Sequence, residues 1–397
     1  MSTIISTEEC TLLKLIKDSL QGKVHFNMDY LQSISVDEIL SMSKEHAVLT
    51  SMYEVIKEMP MNEVQKSVLE RDSKQVVLQF YRLFFYTKYL VELLEKNGIE
   101  VIVLKGLSTA SFYPYPELRK SGDIDLLVPK NSNIDRISMI LTNVGFQKKA
   151  TQHSKHHLEF LFDGGIIVEV HTSLTEDFLY NKINRCMNKH IVDIFETKIR
   201  ENIIGIEFPV LNKPYHAYEL LLHALHHFLR TGFGLKFLCD WTMLFKQNWT
   251  EEEKKQYEEL ARESGINSFA ELMTETCVAY LGLERKDFAW KYECDNIPIE
   301  DFLREVLDAQ EFGCAEESRM LMLEGTGIGA YIKEFHHQMH LNFPKAGKCF
   351  LLWPVLWVIT LVKFLYNNRK VRNISTKQIL KEAKRRSKLM EKIKILQ

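Results

Sequence analysis

The alternation of charge and oil in residues 121–128, SGDIDLLV, restricts what this chain can fold into more than any other stretch. Side chains two apart on an extended strand share a face. Asp123 and Asp125 therefore project together, while Ile124, Leu126 and Val128 point the other way and can be buried. Two adjacent carboxylates repel each other and gain nothing by packing, so the pair is costly unless a cation or a basic group sits between them. Magnesium suits such a pair, because it takes one or two carboxylates and fills its shell with water and phosphate oxygens. Upstream, residues 101–104 read as an apolar strand that runs into Lys105-Gly106. A short helical or irregular segment follows, and the turn at Ser121-Gly122 delivers the chain into the acidic strand.

The flanking sequence supplies the rest of a sheet. Strands are predicted at 100–104, 124–128, 157–162 and 166–171, and a helix at 131–143 that ends at Gly145. Asp163-Gly164-Gly165 between two alternating apolar runs reads as a β-hairpin turn. That hairpin brings Glu169 to the sheet as a third carboxylate. Before this core, residues 5–97 read as helical. Ser6-Thr7-Glu8-Glu9 offers an N-cap with early acids, a second helix spans 37–57, and a long helix runs from about Asn62 to Lys96 with Gly98 behind it. Val76, Leu78, Phe80, Leu83, Phe84, Tyr89 and Leu93 of the long helix are its predicted core face. Residues 173–340 are predicted to be mostly helical, with breaks at 212–214, 232–234, Gly265 and the loop 325–327.

At 397 residues the chain exceeds what one core serves, so several packed subdomains are expected. The fold class that follows is α+β: a small mixed sheet flanked by helical subdomains at both ends. The boundaries are 1–98 for the N-terminal helical cap, 99–172 for the α/β core, 173–342 for a helical subdomain, and 343–397 for an apolar helix with a basic tail. The seven cysteines are scattered without C-x-x-C spacing, which argues against a disulfide framework and a zinc ribbon. The opening MSTIISTEEC has acidic residues and no apolar h-region, so no secretory signal is expected and a cytoplasmic location is.

A net charge of −2 hides an uneven distribution: from Lys363 onward there are twelve Lys/Arg against two Glu, so the remainder carries −12. The apolar run before Lys363 is about fourteen residues, short of the ~20 that span a bilayer. It is expected to be a buried helix closing the C-terminal subdomain. The alternative is peripheral membrane contact through 349–397, with Trp353 and Trp357 at headgroup depth and the basic tail behind. Nucleic acid ranks lower as a partner, because the tail lacks interleaved aromatics.

Several of these motifs together resemble a known family. The Lys-Gly turn paired with R-x-x-G-D-I-D-L-L-V is similar to nucleotidyltransferases of the DNA polymerase β-like superfamily, and within it to the bacterial group of uncharacterised nucleotidyltransferases. The resemblance continues in IVEVH at 167–171, in HALHHFLRTGFGLKFLCDWTML at 223–244, and in the Phe-Pro and LLWPVLW run after 343. One departure stands out: the superfamily's Gly-Ser or Gly-Gly lies about ten residues before the first Asp, whereas Gly106-Leu107-Ser108 lies further upstream.

The resemblance implies a nucleotidyltransferase-fold core and transfer of a nucleoside monophosphate from a nucleoside triphosphate, most simply ATP. The acceptor is unidentified: a small molecule, carbohydrate or protein, attacked through a hydroxyl or phosphate. The cofactor implied is Mg²⁺, with Mn²⁺ as a substitute, held by Asp123, Asp125 and Glu169, which are also the catalytic residues. Lys105, Gly106, Ser108, Arg119, Gly122 and His171 are the nucleotide-binding candidates. Lys105 neutralises a phosphate and Arg119 contacts phosphate or the carboxylates; a surface position or an ion pair is the alternative for both. His171 shares the face of Glu169. By resemblance His226 and Asp240 face the active cleft; without it they are core polar residues. His223, His226 and His227 have spacing that can bind a transition metal, but the glutamate of a zinc-protease helix is missing. Two other classes compete: a catalytically silent scaffold with this fold in a biosynthetic or membrane-associated complex, and a nucleotidylating toxin or regulator that modifies tRNA or protein.

Overall fold

Capping chemistry sets where the N-terminal helices begin. The computed structural model describes residues 5–23, 25–149, 157–162, 164–178, 180–230, 232–285, 298–310, 328–343, 346–366, 388–389 and 391–393. Helix α1 (Thr7–Leu20) starts behind Ser6, whose hydroxyl accepts from the Glu9 N–H while the Glu9 carboxylate accepts from the Ser6 N–H. Ser35 with Glu38 caps α2 (Val36–Glu45) in the same way. The single helix expected over 37–57 is in fact two, because the chain turns at Ala47 (φ 56°) before the one-turn α3 (Tyr53–Ile56). Asn62 with Gln65 caps the long α4 (Glu63–Lys96), which stops at Asn97 with Gly98 at φ 69°. Its buried stripe follows Phe80, Leu83, Phe84, Thr87, Leu90, Val91 and Leu94. Leu78 and Tyr89, predicted to be core, lie off that stripe and are exposed.

Among the described residues the middle of the chain builds a mixed sheet of seven strands. Its elements are β1 (Ile102–Val103), the one-turn α5 (Leu107–Ala110), β2 (Asp123–Leu127), α6 (Ile134–Asn143), β3 (Gln147–Lys148), β4 (His157–Phe162) and β5 (Ile166–His171). After α7 (Asn181–Glu196) come β6 (Ile199–Ile203) and β7 (Ile206–Val210). Their order across the sheet is β3-β4-β5-β2-β1-β7-β6, and all four predicted strands are present. β2 runs parallel to β5 and β1 parallel to β7; the other pairs are antiparallel. Gly164 and Gly165 turn the β4–β5 hairpin with positive φ, while Asp163 lies outside the described residues. The β6–β7 hairpin falls in the stretch expected to be mostly helical. Pro209 and the charged residues of IRENI blunt its strand signal, yet β7 lies inside the sheet, between β1 and β6.

The sheet has one apolar face and one mixed face. Ile124, Leu126, Val128, Val168 and Val170 pack with Phe84 of α4 and Ile137 and Leu141 of α6 in one core. On the other face Ile102, Leu104 and Leu127 join a larger core supplied by helices from both ends of the sequence. Those helices are α1 and α2 together with α8 (Lys213–Leu229), α9 (Leu235–Phe245), α10 (Glu251–Ser264), α11 (Asn267–Tyr280) and α12 (Ile299–Ala309). Asp123 and Asp125 lie on the face turned toward that helical body. Pro214 sits in the first turn of α8 behind the Asn212 cap, and Gly265 ends α10 at φ 71°, so both predicted breaks are real.

The last described helices are α13 (Ile328–Asn342) and α14 (Trp353–Tyr366). The expectation that the 349–366 run is buried fails: within α14 only Leu356 and Thr360 are buried. Pro354 occupies the first turn of the helix rather than interrupting it. Among the described residues no helix is long and apolar enough to cross a membrane. The 325–327 loop and most of the basic tail lie outside the described residues.

Candidate active site

Strand register decides which acids meet. Parallel pairing of β2 with β5 sets Asp125 opposite Glu169 and Leu127 opposite His171. Asp123, Asp125, Glu169 and His171 therefore stand on one face, and the acids do arrive from neighbouring strands. The Leu104 N–H donates to the Asp125 carbonyl, so the chain leaving β1 brings Lys105 alongside. Lys105 Nζ lies 3.2 Å from Asp125 Oδ1. His171 Nε2 bridges the carboxylates, 2.9 Å from Asp125 Oδ1 and 3.2 Å from Glu169 Oε2. The second oxygen of Asp125, Oδ2, is buried and has no hydrogen-bond partner.

Charge pairing outweighs burial at each of these groups except Asp123. Burial pushes the Asp125 carboxyl up, but Lys105 and His171 hold it at about 2. The charge of Asp125, followed by burial, raises Asp123 to about 6, with Lys105 pulling the other way. Burial would strip His171 of its proton, yet hydrogen bonds to Asp125 and Glu169 raise it to about 9. His171 also lowers Glu169 against the pull of burial. For Lys105, desolvation is overcome by Asp125, Asp123, Glu219 and Glu169, and its ammonium is held.

The donor set suits a cation. Asp125, Glu169 and His171 place donor atoms within 4.8 Å of one another, and Asp123 lies on the same sheet face. An orphaned oxygen on Asp125, beside a carboxyl destabilised by that same residue's charge, is what a hard divalent ion would satisfy. A narrow crevice beside the acids is lined by Lys105, Leu107, Ser121 and Asp123. Ser121 also lines a wider cleft with Lys44, Thr50, Asp72, Gln75 and Lys120, between α4 and the α2–α3 connection.

The other predicted residues divide. Gly106 turns at φ 60°, and a Cβ there would stand 3.6 Å from the Asp123 carbonyl. Gly122 has open space where a Cβ would be. Ser108 is buried, and its hydroxyl donates to the Leu104 carbonyl at 2.8 Å. Arg119 and Asp240 are brought to each other and not to the carboxylates of β2 and β5. Both guanidinium–carboxylate contacts are 2.7 Å, and Tyr113 Oη adds a hydrogen bond to Asp240 at 2.8 Å. Arg119 also donates to the Gly106 carbonyl and to Ser121 Oγ, so this buried pair ties together the two turns that flank the crevice. Of the predicted roles for Arg119, ion pairing is the one the structure displays, and Asp240 sits as a core polar residue. His226 is half-buried, 3.8 Å from Glu176. His223 and His227 stack edge to face with ring centroids 4.6 Å apart.

One residue escaped the sequence reading. Glu219 of α8 is 1% exposed, its Oε2 has no partner, and it feels the charges of Lys105, Asp125 and His171. Burial raises its carboxyl to about 8. One turn earlier His216, also buried, lies 3.1 Å from Thr109 Oγ1 and is lowered to about 3 by burial. The available signal was a lone glutamate in the apolar run YELLLHAL, a charge on a helix with no solvent face to carry it.

With the geometry in place, the chain can be compared with known proteins. Residues 32–282 match a family model described as uncharacterised nucleotidyltransferase. No curated protein matches the sequence. Among solved structures, the chain is similar to the lincosamide antibiotic adenylyltransferase LnuA in its lincomycin-bound form. That match is 12% identical, covers 45% of this chain and 94% of that one, and has a TM-score of 0.25. It is also similar to an antigenic nucleotidyltransferase-like protein from Paracoccidioides brasiliensis, at 17% identity over 54% of this chain and 96% of that one, with a TM-score of 0.34.

Proposed function

The chain belongs to the family of uncharacterised nucleotidyltransferases, and from that premise we propose that it moves a nucleoside monophosphate from a nucleoside triphosphate, most simply ATP, to an acceptor hydroxyl or phosphate. The observation that carries the reading is Asp125. Register sets it beside Glu169, burial removes it from water, and one of its oxygens is left without a donor. Leaving a buried acceptor unpaired costs ~1–3 kcal/mol or more when it is charged, a cost that a ligand at that oxygen removes.

Mg²⁺, or Mn²⁺ in its place, is the cation we assign, with Asp123 and Asp125 as its principal holders and Glu169 completing the set. When bound, such an ion neutralises charge on the transferring phosphoryl group and polarises its oxygens. The remaining work falls to the chain's own side chains. Lys105 presents an ammonium at the crevice, where it meets phosphate oxygens. His171 keeps its proton between Asp125 and Glu169 and fixes the orientation of both carboxylates. Arg119 and Asp240 hold the Gly106 and Ser121 turns at a constant separation, a positioning role. The catalytically silent scaffold remains as a second reading, favoured by one feature: Lys105 and His171 already compensate the charge of Asp125 without any ligand.

Thermal shift with a panel of nucleoside triphosphates, with and without Mg²⁺, tests the proposal on wild type and on Asp123→Ala/Asp125→Ala. A ligand at a hundred times its Kd stabilises the native fold by ~2.7 kcal/mol. A magnesium-dependent shift with one nucleotide, absent from the variant, is expected and would name the donor. A well-folded protein that shifts with none of them would overturn the enzyme reading in favour of the scaffold.

A further inference from the structure

Helix α14 is apolar on both its faces, and among the described residues only one of them is covered. Trp353, Leu356, Trp357 and Thr360 turn inward at spacings of three and four. The two tryptophans pack against His336 of α13, and their indole N–H groups donate to the Gly347 carbonyl and to His336 Nδ1. The opposite stripe, Val355, Val358 and Val362, follows the same helical spacing and is 59–61% exposed, and Phe350 and Leu351 of the turn just before the helix add to it at 68% and 72%. A contiguous stripe of large aliphatic side chains in water marks an interaction surface.

We propose that this stripe docks flat on an anionic lipid surface, with the basic chain end that follows it supplying electrostatic attraction. Two observations choose this occupant. The first is length: fourteen residues make a helix of about 21 Å, against a hydrocarbon core of about 30 Å, so α14 can lie in an interface but not cross it. The second is charge. From Lys363 to the end the sequence carries twelve Lys/Arg and two Glu, which draws the segment to acidic headgroups and sets a second copy of the same end against it. The tryptophans are not the lipid-facing groups expected from sequence, since they seal α14 to α13 and leave the aliphatic stripe outward. The inference stands independently of the nucleotidyl-transfer reading.

Co-sedimentation of the full chain with vesicles of phosphatidylcholine alone, and of phosphatidylcholine with phosphatidylglycerol, tests it. Binding to the anionic vesicles should exceed binding to the neutral ones by ~10-fold or more and should fall in high salt. Leu351→Ser/Val355→Ser/Val358→Ser changes only exposed side chains, so it should keep the wild-type thermal midpoint while losing vesicle binding. Lys384→Gln/Arg385→Gln/Arg386→Gln should weaken binding and its salt dependence together. Equal binding by the serine variant would overturn the proposal, because charge alone would then be acting. So would absence of binding alongside a concentration-dependent dimer that the serine variant abolishes, since a second copy would then cover the stripe.

Discussion

His171 and His216 are both buried, one on the sheet face and one on helix α8 of the helical body, yet they hold opposite charge states. His171 is raised to about 9 and His216 lowered to about 3. Burial acts the same way on both, disfavouring the imidazolium. Partners make the difference. His171 lies within hydrogen-bond distance of two carboxylates, Asp125 and Glu169, whereas His216 meets a threonine hydroxyl. Asp240 is near enough to pull His216 upward, but both of its oxygens are held by Arg119, which pushes the other way. Half-buried His223, His226 and His227, further along α8, are lowered too. The lesson is that an acid's placement, not depth, makes one side of this interface a charged site and the other a neutral wall.

Breaking the comparison at its source has the largest expected effect. Asp125→Asn should lower nucleotidyl transfer by ~10³-fold or more while cooperative unfolding persists, because the change removes charge and keeps shape. Transfer from a labelled nucleoside triphosphate and a thermal melt check this together; a variant already unfolded at the assay temperature would mark Asp125 as structural. Asp240→Ala comes next. It strands the buried Arg119 guanidinium and should cost ~3–5 kcal/mol of stability by urea unfolding, and Arg119→Met/Asp240→Leu should cost less than that single change.

Glu219→Gln sharpens the comparison through pH. The folded carboxyl of Glu219 sits at about 8, above its ordinary value of 4.5, so the native state holds this proton more tightly than the unfolded one. Its contribution to stability is present at low pH and is lost as pH rises from about 4.5 through about 8. The glutamine variant should therefore gain on wild type above that window by at least ~1.4 kcal/mol, the worth of one pKa unit, and lose the advantage below it. A difference independent of pH would show that Glu219 does not titrate as described.

The smallest effect belongs to His216. Its folded value of about 3 lies below the ordinary 6.5, so its stabilisation is complete at neutral pH and declines as pH falls through that range. His216→Gln should flatten the acid limb of the stability curve without changing nucleotide binding. In the metal-free protein, imidazole NMR should show His171 still protonated at neutral pH while His216 stays neutral until the fold is lost.

Much of this arrangement is legible in the sequence, wherever a local period carries the information. Period-two alternation assigned Asp123 and Asp125 to one face of β2 and Ile124, Leu126 and Val128 to the other, and those three apolar residues do share one core while Leu127, on the face of the acids, joins the other. The hairpin glycines placed Glu169 and His171 on the return strand of a β-hairpin, and Ser6, Asn62, Gly98 and Gly265 fixed helix ends. These features depend only on backbone geometry a few residues either side, so composition and spacing determine them.

Tertiary structure alone decided what lies opposite. Arg119 and Asp240 are 121 residues apart, and nothing in either neighbourhood announces that they meet. Glu219 reaches the site only because α8 packs over the mixed face of the sheet. The β6–β7 hairpin joins the sheet in spite of Pro209, through pairing with β1 that no local propensity encodes. Leu78 and Tyr89 of α4, and the outer stripe of α14, are as apolar as their buried neighbours, and only the position of the rest of the molecule leaves them in water. A side chain's period says which way it points; its partner, its charge state and its exposure follow from contacts between segments far apart in the chain.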